Sequence, residues 1–332
     1  MYIMSFSDSH RITRPGRSAP APIVVYMSFQ HIVDKPSRNA IFLVLKITPG
    51  RANDVRAVLD EYKDLVKSVA FRNPEADLFS VLGIGYDAWP LLTSAPRPSL
   101  LQPFQEIVGP RHTAPATDGD LLLHLRAEEF DMCHEMARVL LRRFGSAVSI
   151  LDETHGFKYF DRRDLLGFVD GSANPVSDNA GENVFLPQEA DYPGGTYVTV
   201  QKYLHDIQAW DELSVESQED VVGRTKLDNI ELPADKKPAD SHVAVNENDG
   251  RMYRENMVFG SFQDDVTGTY FIGYVRDPER ITKRLRKMFA GDPDGKFSHD
   301  RILDFSTALT GTNFFVPSVN MMDDFKELPP AH

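Results

Sequence analysis

Cysteine is almost absent from this chain. Its 332 residues include one, Cys133, which excludes an intrachain disulfide and any cysteine-based zinc or iron–sulfur centre. A lone thiol fits a reducing compartment, the cytoplasm, and its place among the spaced apolar residues of "FDMCHEMARVLLRRFG" marks it as buried and inert. Long hydrophobic runs are missing as well; none approaches the ~18 residues that cross a bilayer. Positive charge is in deficit, with 36 Lys and Arg against 49 Asp and Glu and a formal charge of -13. That balance repels phosphate backbones and anionic lipid, and argues against nucleic-acid or membrane binding. Arg11, Arg14 and Arg17 occur singly, so a twin-arginine export signal is lacking. No small-residue cleavage site follows the apolar stretch "IVVYMSF" at 23–29.

What is present is a globular composition, 42% hydrophobic and 26% charged, able to build a substantial core. Residues 1–37 read as a disordered or extended arm with Met27 a candidate working start, because they lack periodicity and bury too little to offset their ordering entropy. The β-branched run "IFLVLKI" (41–47) reads as a buried strand. After it, Asn53 is placed to cap a helix with Val55, Val58, Leu59, Tyr62, Leu65, Val66 and Val69 on one face. Strands at 78–85, 121–125 and 147–151, with the Cys133 helix before the last, complete β-α-β-β-α-β, the split ferredoxin-like unit. The order recurs. Strands are expected at 196–203, 241–245, 269–275 and 313–318, with helices over "IQAWDEL", "VESQEDVVGRT" and "ERITKRLRKMF". The fold class is therefore α+β, two tandem ferredoxin-like halves with antiparallel sheets. They span 38–154 and 194–320, joined by a connecting segment at 155–193 and followed by a short tail at 321–332.

Taken singly, the polar residues that could carry chemistry are weak signals. Asp170 sits in "GFVDGSANP", where an Asp-Gly pair is most often a turn. His242 opens "SHVAV", and a histidine there is more often structural than a ligand. Arg224 in "VVGRTK" fits a helix C-terminus, its cation meeting the helix dipole. Arg254 and Asn256 follow in "RENMVFGS", and Asp304 in "ILDFSTALTG". Trp89, Trp210 and the eleven tyrosines are read as packing residues first and electron-transfer candidates second.

Together, "GFVDGSANP", "VVGRTK", "SHVAV" with "RENMVFGS", and "ILDFSTALTGTNFFVPS" resemble the dye-decolourising peroxidases, most closely their bacterial B-type subfamily. The likeness runs from about 38 to 320, and rests on several separated motifs in one order. It implies one haem b per chain, held mainly by the C-terminal half. The implied activity reduces hydrogen peroxide through a ferryl intermediate and oxidises small aromatic donors, phenolic or dye-like. By the same resemblance His242 is the proximal ligand to haem iron. Asp170, Arg254 and Asn256 line the open side, as proton relay, charge stabiliser and pocket residue. Arg224 pairs with a haem propionate, and Asp304 accepts a hydrogen bond from the ligand histidine. His155 in "ETHGF" lies in a shared motif without an assigned role. A deferrochelatase-like porphyrin handler is the alternative, and a haem-free binding module a third. A homo-oligomer is expected. Because only "NMMDDFKELPPAH" follows the last strand, encapsulin cargo status is not expected.

Overall fold

The structure is a computed structural model that describes residues 30–171, 174–175, 179–247, 250–323 and 325–330. The expectations for the N-terminal arm up to residue 29, Met27 included, fall outside these residues. Strand β1 (Asn39–Ile47) is followed by helix α1 (Ala52–Ala70), β2 (Phe79–Gly85), β3 (Leu121–Ala127), α2 (Phe130–Phe144) and β4 (Val148–Phe157). The second half begins with β5 (Thr196–His205) and the short helices α3 (Ile207–Asp211), α4 (Val215–Val222) and α5 (His242–Val245). It continues with β6 (Met257–Ser261), β7 (Val266–Val275), α6 (Glu279–Ala290) and β8 (Thr312–Val316).

Each half pairs its four strands antiparallel in the same order, fourth-first-third-second: β4-β1-β3-β2 and β8-β5-β7-β6. The two sheets then join edge to edge. Phe314 and Phe315 of β8 pair with Gly85 and Ile84 of β2, and Phe157 of β4 pairs with Val258 of β6. The ring of eight strands closes through these few pairs, two at one seam and one at the other.

Alternation along each strand divides the core in two. Phe42, Val44, Leu122, Val200, Ile272 and Phe314 point into the ring. On the outer face of the first half, Ile41, Leu43, Leu45 and Leu123 meet Val55, Val58 and Leu59 of α1 and Met136 and Leu140 of α2. Each such side chain contributes about 1.5–3 kcal/mol when fully buried. Cys133 belongs to this layer and is wholly buried, and burial pushes its thiol up to about 12. Both tryptophans are core residues, each 1% exposed.

Three local expectations are corrected. Helix α1 starts two residues early, with Arg51 as its N-cap and no side-chain cap, so Asn53 lies inside the helix. "SHVAV" is a one-turn helix instead of a strand: Ser241 holds an extended N-cap backbone and its hydroxyl donates to Pro238 O at 2.7 Å. Tertiary placement overrides the β-propensity of two valines there. Strand β4 runs on to Phe157, beyond the expected 151, because β1 pairs with it along its whole length.

Candidate active site

The "GFVDG" stretch is a bend turned on its two glycines. Gly167 and Gly171 take φ of +90° and +73°, a region that side-chain-bearing residues avoid. Between them Phe168 is buried edge-on to Trp210, whose indole N–H donates to Leu166 O at 3.0 Å. The Asp170 N–H donates to Arg162 O at 2.9 Å, which fixes the backbone under the carboxylate. Asn256 Nδ2 donates to Asp170 Oδ2 at 2.8 Å, and Gly171 N–H donates to Oδ1 at 2.6 Å. The Asn256 amide is itself oriented, since its Oδ1 accepts from Ile272 N–H at 3.2 Å. Arg254 Nη2 stands 3.8 Å from Asp170 Oδ1. The structure thus brings together all three residues expected on the open side.

Sequence reasoning missed the residue that couples them. Asn174 donates from Nδ2 to Arg254 O at 2.7 Å and accepts from Arg254 N–H at 3.0 Å. The available signal is the Asn-Pro pair that closes the "GFVDGSANP" motif.

These residues line the wall shared by two cavities. The larger, about 680 Å³, is also lined by His242, Arg224, Gln201, His205 and Phe271, and its size falls within the ~300–1,000 Å³ of small-molecule sites. The smaller, about 450 Å³, reaches exposed Lys35, Lys158 and Arg162. Asp164 lines both. Lost solvation, reinforced by the charge of Asp170, pushes its carboxyl up to about 7 against the Phe168 N–H that favours its ionised form. Burial pushes His205 down to about 4, and its two ring nitrogens meet Ser306 Oγ and Thr269 Oγ1, both at 2.8 Å.

His242 leaves α5 with its Nδ1 2.7 Å from Asp300 Oδ2. Asp300 is fully buried, and its other oxygen accepts from Ile302 N–H at 3.1 Å. With Nδ1 engaged, Nε2 is the nitrogen left for the cavity that His242 lines. Asp304, the residue expected beside His242, stands elsewhere: its Oδ1 lies 3.0 Å from His112 Nε2 and 3.1 Å from His299 Nε2. The two acids stand at opposite ends of one helical turn, Arg301–Asp304, with Asp300 its N-cap and Asp304 its last residue, and only Asp300 meets His242 of α5. Arg224 does reach the cavity, with its Nε donating to Asn229 Oδ1 at 2.8 Å and Nη1 to Glu231 Oε2 at 3.4 Å. His155 lines neither cavity and meets Glu153 Oε1 at 2.6 Å, half-exposed.

A planar iron porphyrin fits this donor set. An imidazole oriented through Nδ1 by a buried carboxylate is the chemistry of an axial ligand. The buried Gln201 Nε2 on the same cavity has no hydrogen-bond partner among the described residues, a donor awaiting an acceptor.

Family models agree on both halves: the Dyp-type peroxidase N-terminal model matches residues 30–158 and the C-terminal model residues 161–321. The chain belongs to the Dyp-type peroxidase family. A dye-decolorizing peroxidase of Mycolicibacterium paratuberculosis is 51% identical to it over 297 residues, 87% of this chain and 83% of that protein. Among solved structures, the encapsulated DyP-type peroxidase of Mycobacterium smegmatis superposes with a TM-score of 0.88 at 48% identity, covering 92% of this chain and 100% of that one. A variant of DypB from Rhodococcus jostii in complex with haem gives 0.85 at 44% identity, covering 89% and 98%. This peroxidase is a haem enzyme, and the porphyrin-handling alternative is the weaker reading. Among the described residues, no helix is long and apolar enough to cross a membrane.

Proposed function

We propose that this peroxidase binds one haem b in the larger cavity through His242 Nε2 and reduces hydrogen peroxide at the expense of phenolic or dye-like donors. The observation that carries the reading is a single cavity holding both a carboxylate-oriented imidazole and the Asp170–Arg254–Asn256 cluster. Haem supplies the redox-active iron at which the peroxide O–O bond is cleaved. Asp300 holds the His242 proton on Nδ1 and so keeps Nε2 basic. Asp170 takes a proton from peroxide and returns it to the departing oxygen, a relay for which its two fixed donors hold it in place. Arg254 stabilises the negative charge that develops on that oxygen. Arg224, already anchored by Asn229, presents a guanidinium edge to a haem carboxylate. The smaller cavity, with its cationic outer end, is the route by which peroxide reaches Asp170.

The reading further assigns the enzyme to the cytoplasm as a homo-oligomer; one buried free thiol supports a reducing compartment. The test is His242→Ala with haem titrated into purified protein. The variant should fail to develop the wild-type Soret spectrum and should lose haem to an acceptor protein. Full haem content with an unchanged histidine-ligated spectrum would assign the iron to another of the ten histidines.

A further inference from the structure

Away from the cavities, a second group of ligating side chains converges. His112 sits on the four-residue turn of a small hairpin, Ile107–Val108 with Thr113–Ala114, contributed by the first half of the chain. His299 and Asp304 come from the second half, on either side of Asp300. Both imidazoles direct Nε2 to the same oxygen, Asp304 Oδ1, at 3.0 and 3.1 Å, and the three ligand atoms all lie within 4.8 Å of one another. We propose that His112, His299 and Asp304 form a site for a divalent transition-metal ion of zinc-like preference, which ties the hairpin of the first half to the turn of the second that carries Asp300.

The chemistry and the spacing agree. Two imidazoles and a carboxylate make a borderline-soft N2O set suited to zinc. Ligands at about 2.0–2.1 Å around a tetrahedral ion stand about 3.3–3.4 Å apart, so the observed N···O separations need to open by only a few tenths of an ångström. His299 is oriented from behind, its Nδ1 2.8 Å from Ser298 Oγ, as ligating histidines are. His299 is buried while His112 and Asp304 are partly exposed, which leaves a fourth position open to water. Arg111 Nη1, 3.7 Å from Asp304 on a side chain 64% exposed, is the resident cation that the ion must displace. The competing arrangement is a hydrogen-bonded clasp in which both imidazoles donate protons to Asp304.

Titration of chelator-treated, haem-loaded protein with zinc against a chromogenic chelator separates the two. The metal site predicts one saturable equivalent, with X-ray absorption at the zinc edge showing N/O ligands near 2.0 Å, imidazole among them. Ser298→Ala should weaken binding by about 10–100-fold, the usual effect of losing an outer partner. His112→Ala and Asp304→Asn should weaken it by more, and His112, on an exposed turn, is the variant least able to disturb the fold. Retention of the haem spectrum checks that each variant is folded. Absence of a saturable equivalent in the wild type, or equal affinity in His112→Ala and Asp304→Asn, would overturn the site and leave the clasp.

Discussion

Replacing Asp300 by asparagine tests which acid controls the haem ligand. In the wild type, Asp300 Oδ1 accepts from Ile302 N–H at 3.1 Å and Oδ2 meets His242 Nδ1 at 2.7 Å, with no solvent access to the carboxylate. An amide cannot satisfy both. If its oxygen stays on Ile302, its NH2 group faces Nδ1 and draws the imidazole proton to Nε2, the atom needed for iron. If the amide turns over, its NH2 group faces the Ile302 N–H and a buried donor is left unpaired, at about 1–3 kcal/mol. Loss of a second-layer partner of this kind typically lowers metal affinity 10–100-fold, about 1.4–2.7 kcal/mol. The assay is transfer of haem to an excess of a haem-binding acceptor, in chelator-containing buffer so that the proposed zinc site stays empty. Asp300→Asn should release haem about 10–100 times faster than wild type, and faster than Asp304→Asn. A reversed order, with Asp304→Asn losing haem first, would refute the placement of Asp300 beside the ligand.

Three further outcomes are expected. Arg254→Leu should slow peroxide cleavage in stopped-flow by about 10²–10³, the effect of deleting one well-aimed charge-stabilising donor, with little change in haem content. Asn174→Ala removes both hydrogen bonds that bracket the Arg254 backbone; it should lower stability by about 1–3 kcal/mol in denaturant unfolding and reduce kcat more than haem binding. Asp164 is raised to about 7 from an ordinary 3.8, so the native state retains a proton the unfolded chain has lost, and stability must fall as pH rises through that window. Asp164→Asn should therefore melt like wild type near pH 4 and above it at pH 7–8; a constant difference across the range would exclude Asp164 as the titrating group.

The four strands of the first half and three of the second were legible from their apolar runs; β6 (Met257–Ser261) was not, and its place in the order was given to 241–245, which is a helical turn. The ferredoxin-like order of elements was legible in the first half, and α6 buries Ile281, Leu285, Met288 and Phe289 as its spacing required. Contacts between the halves were not legible. The edge pairing of Phe157 with Val258 is one residue pair separated by a hundred positions, and no local pattern encodes it. At the site, the motifs carry Asp170, Arg254 and Asn256, and the structure brings the three together. Asp300 was missed because it and Asp304 stand four apart on one turn, and only the packing of that turn on α5 decides which faces His242. The conformation of "SHVAV" was not legible, since the four helical residues His242–Val245 are too few for either periodicity to show.

Why the cavity lies in the second half follows from comparing two crossovers with the same topology. In the first half, residues 48–78 carry α1, a continuous 19-residue helix. Its apolar stripe covers the outer sheet face, where Leu43 is paired with Leu123. In the second half, residues 206–256 contain no helix longer than the eight residues of α4 among those described. The matching sheet face is left to Gln201, Tyr203 and His205 of β5 and Thr269 and Phe271 of β7, all of which line the larger cavity. A buried strand face that alternates polar groups is costly unless something else satisfies them, and here His205 finds Thr269 and Ser306 while Gln201 Nε2 keeps an unmet donor. The broken crossover then delivers His242 to the rim of that uncovered face. The cavity occupies the layer that α1 fills in the first half, where a haem held by His242 would lie, and the polar alternation in "TYVTVQKYLH" is the sequence trace of the missing helix.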